Sequence, residues 1–212
     1  MDTKDRNRFF EIIAILLTAT GKFIFLNGLE WRLGFISVVC LFWAGYIVYR
    51  YKKDNQILSY WGLTTNGFKS TFLQLLPLVV GCIIVFIIVG HRMEANVLNW
   101  TVIPIMLLYP IWGILQQFLV LSLFGKNLDE LHAWKIPRNV VILVTAILFS
   151  IVHYPFPILM VGTFLLAIVY TILFFRGKNL LVLGIYHGWL AAFFFYTVLG
   201  RNSWGEVFGS FF

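Results

Sequence analysis

Five polar side chains stand in otherwise apolar stretches of this sequence: Gln116, Gln117, Ser150, His153 and His187. A polar or ionisable group in hydrocarbon is costly, so one that is retained usually faces a cavity, a partner or a site. Two histidines on separate helices, converging with a glutamine, can hold a water, a substrate carbonyl or a metal ion. Imidazole can take a proton near neutral pH. A carboxamide can orient water but is no base. The nine acidic residues, Asp2, Asp5, Glu11, Glu30, Asp54, Glu94, Asp129, Glu130 and Glu206, fall in tails, loops or span ends. Adjacent glutamines point about 100° apart on a helix. At most one of Gln116 and Gln117 therefore aims at a shared site, and the other packs or bonds a neighbouring helix. Zinc normally takes about four ligands; two imidazoles and amides make a poor cage, so neither a metal nor a cofactor is expected.

The elements that carry these residues are membrane helices. The chain is 60% hydrophobic and 12% charged, with a mean hydropathy of +0.88, against about 25% charged residues in a soluble domain. Apolar runs long enough to span, about 17 to 25 residues, recur throughout. Seven spans are expected: 9–29, 31–49, 70–90, 101–124, 139–154, 158–175 and 180–199. Tyr154-Pro155-Phe156-Pro157 separates the fifth from the sixth, because two close prolines end one helix and restart the next. The sequence implies an all-α integral membrane protein, a polytopic bundle in one membrane domain over residues 1–212. Residues 9–49 would form a two-helix N-terminal appendage and residues 61–199 a core. No cleaved signal is expected: the basic segment Met1 to Arg8 precedes an apolar run that is too long and lacks a small-residue cleavage site.

Basic residues give an orientation. With a cytoplasmic N-terminus and seven spans, 12 lysines and arginines lie inside (Lys4, Arg6, Arg8, Arg50, Lys52, Lys53, Lys69, Lys126, Lys135, Arg138, Arg176 and Lys178), against 4 outside (Lys22, Arg32, Arg92 and Arg201). This is a positive-inside pattern. It implies a multi-pass protein of the cell membrane with its C-terminus on the opposite side. The net charge of +7 then reports topology and contact with anionic membrane lipids. No nucleic-acid partner is expected, since the basic residues are spread over four loops. Cys40 and Cys82 fall inside apolar spans as small hydrophobes.

The polar residues have structural readings as well as chemical ones. Gln116 and Gln117 can bond across helices, as polar residues do in membrane bundles. His153, beside Tyr154-Pro155, can be a helix-end residue near the outer surface. His187, between Gly184 and Gly188, can be a packing histidine where small residues let helices approach. His91 and His132 read as solvated loop residues.

The order of these blocks resembles the CPBP family, the CAAX-protease and bacteriocin-processing intramembrane endopeptidases also called Abi proteins. That family's motifs are Glu-Glu-x-x-x-Arg, Phe-x-x-x-His and His-x-x-x-Asn or Asp. Here the second is intact as Phe149 and His153. The third keeps His187 but has Ala191 in place of the Asn or Asp. The first has Gln116 and Gln117 for the glutamates and Leu121 for the arginine. Trp61-Gly62-Leu63, and Tyr170 to Leu180 with Arg176 and Asn179, are similar to flanking stretches, so the resemblance covers roughly Trp61 to Leu199.

The resemblance implies cleavage of prenylated or other membrane-tethered peptides, in which a glutamate activates water while a histidine and an asparagine stabilise the oxyanion. Gln116, Gln117, His153 and His187 occupy the catalytic motif positions. Phe149, Ser150 and Tyr186, beside the two histidines, are candidate binding residues. General-base work needs a group that takes a proton, and glutamine does not. The first reading is therefore a CPBP homologue that has lost its hydrolytic centre and serves as a binding or scaffolding subunit in a membrane protein complex. The second is an active endopeptidase that uses His153 and His187. The third is a lipid or isoprenoid binder.

Overall fold

Long apolar runs set the helices, which run through Pro77 in α4 and Pro110 in α5. The computed structural model describes residues 3–29, 31–95 and 100–208; Asp2 and Glu30 lie outside them. The α-helices are α1 (Thr3–Lys22), α2 (Arg32–Lys53), α3 (Ile57–Tyr60), α4 (Phe68–Arg92), α5 (Val102–Gln117), α6 (Asn127–Asp129), α7 (Arg138–Ile151), α8 (Pro157–Phe175), α9 (Leu180–Phe193) and α10 (Ser203–Phe208). Three continue into wider π-helical turns: α1 into Phe23–Gly28, α5 into Phe118–Lys126 and α9 into Phe194–Val198. No strand is present among the described residues.

The helix ends follow from their residues. Pro157 opens α8 at a first-turn position, where no backbone N–H is needed. Gly177, at φ +78°, turns the chain out of α8. Asn179 caps α9, its Oδ1 accepting from the Val182 N–H at 3.2 Å.

Among the described residues, six helices are long and apolar enough to cross a membrane: Thr3–Leu26, Leu33–Lys53, Phe68–Arg92, Val102–Asp129, Pro157–Phe175 and Leu180–Val198. This corrects the seven expected from sequence. The 139–154 run becomes α7, only 14 residues long, about 21 Å at 1.5 Å per residue, against a hydrocarbon thickness of about 30 Å. Pro155 and Pro157 cannot continue the helix, so its last residue is Ile151 rather than Tyr154.

The helices divide into two compact units interleaved in sequence: Met1–Leu63 with Phe118–Lys178, and Thr64–Gln117 with Asn179–Phe212. In the first, α7 packs along α8, and α1 packs on the π-helical Phe118–Lys126 turn and α6. Phe118 to Gly125 are all buried. In the second, α5 packs along α9, α4 lies against α9 and its π-helical continuation, and α10 folds on α5. Ile105, Ala192 and Tyr196 form a buried cluster there.

Charged groups tie the ends of the first unit. Arg8 of α1 and Tyr60 of α3 both donate to Glu130, and Lys126 donates to the Tyr60 carbonyl. Burial, together with the hydrogen bond Tyr60 makes to Glu130, pushes the Tyr60 phenol up to about 12, so it stays a donor at neutral pH. Arg138, at the start of α7, pairs with Asp129 at 2.8 Å. At the other end Lys22 of α1 donates to the Tyr154 carbonyl, just beyond α7, at 2.7 Å. Short as it is, α7 runs between the same two levels as the Arg8-to-Lys22 stretch of α1.

Candidate functional site

The second unit brings Gln116 and His187 together. Gln116 stands in the last turn of α5 and His187 midway along α9, and the amide oxygen accepts from the imidazole Nε2–H at 3.1 Å. His187 is buried and Gln116 half-buried.

Three glycines make this approach possible. A Cβ at Gly113 would lie 2.3 Å from the Gly184 carbonyl oxygen. One at Gly184 would lie 2.4 Å from the Ile114 Cα, and one at Gly188 2.5 Å from the Tyr109 carbonyl oxygen. Backbone therefore touches backbone on both sides of His187, the close approach that small residues permit in membrane helix pairs.

Gln117, next in sequence, is 1% exposed, and its Nε2 has no hydrogen-bond partner among the described residues. Leaving a buried donor unsatisfied costs about 1–3 kcal/mol, which makes this nitrogen a place for a water or a ligand oxygen. Tyr186, also buried, donates to the Phe72 carbonyl at 2.7 Å and stacks on the Phe72 ring at 5.0 Å. It is a tie between α9 and α4. Asn179 Nδ2 donates to the carbonyls of Thr64 and Asn66 at 2.6 and 2.8 Å, fixing the loop before α4 to the start of α9.

The first unit brings Phe149, Ser150 and His153 together at the end of α7. His153 Nδ1–H donates to the Phe149 carbonyl at 2.6 Å, and its ring meets the Phe149 ring edge-on at 4.8 Å. The Phe-x-x-x-His spacing is thus an i, i+4 contact between the last turn of α7 and the turn that follows it. Ser150 Oγ donates to the Met160 carbonyl of α8 at 2.9 Å. Beside it lies a groove of about 310 Å³, lined by Ser150, Pro157, Met160, Val161 and Phe164.

Other polar residues stand where the sequence reading did not put them. Glu11 is buried on α1, inside the first long helix rather than at a span end. Tyr46 and Arg50 of α2 donate to its Oε1, and Asn127 of α6 donates to its Oε2. An acid one turn beyond Arg8 reads as an end residue until Arg50 and Asn127 are brought to it by the fold. The pairing of a single acid with a distant arginine leaves no local spacing signal. His91 stands in the last turn of α4 rather than in a loop, and it and His132 are exposed. No group of three or more His, Cys, Asp or Glu that could hold a metal is present among the described residues.

No family model matches this chain, and no curated protein or solved structure is detectably similar to it.

Proposed function

We propose that this chain is a multi-pass membrane protein of CPBP type that lacks the family's hydrolytic centre and acts as a binding or scaffolding subunit. The order Gln116-Gln117, Phe149-x-x-x-His153 and His187 supports the family reading. The observation that carries the loss of hydrolysis is the Gln116–His187 pair in its glycine-lined seam. The group that His187 Nε2 meets is an amide, which takes no proton from water near neutral pH. The backbones at Gly113, Gly184 and Gly188 are in contact, so no peptide enters between α5 and α9 beside the imidazole. An amide–imidazole bond inside a closed helix pair holds the pair together.

In this reading the N-terminus is cytoplasmic, the side to which the sequence assigns 12 of the 16 basic residues. Six full-length crossings alone would return the C-terminus to that side. The ties of α7 to Glu130's neighbour Asp129 and, through Tyr154, to Lys22 support a further crossing by the shorter helix. With that crossing, the C-terminus in this reading lies on the opposite face.

Cross-linking in intact membranes, followed by isolation in a mild detergent, tests the scaffolding role. The proposal expects a second membrane protein to be recovered in stoichiometric amount. Recovery of a lone chain, with or without bound lipid, contradicts it.

A further inference from the structure

The turn that leads from α7 into the groove binds a cation. Ser150 lines it four residues before Tyr154, and Pro157 three residues after. Tyr154 is the residue whose carbonyl Lys22 binds. One of the three ammonium hydrogens serves that carbonyl, and the same nitrogen sits 4.9 Å over the Phe23 ring. Lys22 is half-buried, and Tyr154 and Trp31 at this end are more than half exposed. Exposed aromatic residues beside a lysine at the end of membrane helices mark the headgroup level.

The walls are apolar apart from Ser150, whose hydroxyl is turned away to the Met160 carbonyl. From Val161 the groove opens onto an exposed apolar row along α8: Ile158 at 60%, Val161 at 62%, Leu165 at 57% and Val169 at 43%. At Gly162, next to Val161 on α8, an added Cβ would also meet nothing within 4 Å. A volume of about 310 Å³ is at the small end of the roughly 300–1,000 Å³ typical of small-molecule sites. It suits part of one hydrocarbon chain, not a folded partner.

We propose that Lys22 and this groove form a site for an anionic glycerophospholipid. Lys22 holds the phosphate, and one acyl chain lies over Met160 and Val161 and follows the α8 row. The charge complementarity follows from the chain: the ammonium binds the turn three residues before Pro157 of the apolar groove, and the ligand carries its anion at the head of an apolar chain. The site lies within the first unit and does not depend on whether the chain hydrolyses peptides or binds a partner.

The full-length protein in detergent, titrated with short-chain phosphatidylglycerol and read by native mass spectrometry, tests the proposal. Phosphatidylcholine of the same chain length and inorganic phosphate are the comparison ligands. Phosphatidylglycerol should bind more tightly than phosphatidylcholine, and phosphate alone should not compete. Lys22→Gln should weaken phosphatidylglycerol by about fivefold, the effect expected of one lysine at a lipid surface. Lys22→Arg should retain binding. Met160→Trp, which fills the groove, should weaken both lipids alike. Lys53→Gln, on α2, should change nothing. The two substitutions at the site report independently, so loss of fold in one leaves the other to decide. Equal phosphatidylglycerol affinity in wild type, Lys22→Gln and Met160→Trp would overturn the proposal, as would competition by inorganic phosphate alone.

Discussion

An amide that faces an imidazole can only share a hydrogen bond with it, whereas a carboxylate could also take its proton. That difference sets what Gln116 and His187 do. The Gln116 oxygen accepts from Nε2 at 3.1 Å, and interhelical bonds of this kind contribute about 1 kcal/mol in membrane proteins. Gln116→Ala should therefore lower thermal stability in detergent only slightly, by about 1 kcal/mol. The buried Glu11 should matter more. Glu11→Ala leaves Arg50 without its carboxylate partner, a loss of about 3 kcal/mol or more for a buried pair. Denaturation of Glu11→Ala beside a Glu11→Leu/Arg50→Leu double variant checks this: the double variant should recover part of the loss. Equal stability of wild type and Glu11→Ala would mean that the cluster of Tyr46, Arg50 and Asn127 contributes nothing. The Gln116–His187 contact was legible in sequence because polarity at membrane depth is rare. The Glu11 cluster was not, because its four members lie on three helices and only the fold joins them.

At the scale of the helices, glycine separates two situations. Gly113, Gly184 and Gly188 sit where an added Cβ meets backbone at 2.3–2.5 Å, while Gly45, Gly81 and Gly162 have nothing within 4 Å. Gly184→Leu and Gly188→Val should force α5 from α9 and abolish recovery of monodisperse protein. Gly81→Ala and Gly162→Ala should be tolerated or slightly stabilising, by up to about 1 kcal/mol, since alanine favours helix over glycine. Size-exclusion profiles of the four variants give the comparison, and a well-behaved Gly184→Leu protein would refute the closed seam. The role of Gly184 and Gly188 follows from their flanking of His187 at helical spacing. Gly113 is less visible, because its partners are 71 or more residues away, at Gly184 and Gly188. The shortness of α7 was also hidden. Its apolar run continues through Val152 to Tyr154, and hydropathy does not register that the prolines close the helix at Ile151.

Over the whole molecule, hydropathy shows a membrane protein and locates six long helices. It does not show that the long helix Val102–Asp129 passes from one compact unit to the other after Gln117, nor that α9 belongs with α4 and α5, since burial partners are set by packing and not by local composition. The topology has its own test. Reporter fusions should place the N-terminus in the cytoplasm and the C-terminus across the membrane. Both ends on one side would show that α7 does not carry the chain across. The central claim, that His187 sits in a structural seam and not in a hydrolytic centre, is tested most directly by turnover. The purified protein, reconstituted in lipid vesicles, is offered prenylated and membrane-embedded peptides beside His153→Ala and His187→Ala variants. The account predicts no cleavage above the His187→Ala background. It predicts none in Gln116→Glu/Gln117→Glu either, because Leu121 and Ala191 still lack partner groups and a buried, unpartnered carboxyl tends to stay protonated. Cleavage by the wild type that disappears in His153→Ala or His187→Ala would contradict the account and identify a histidine-based hydrolase.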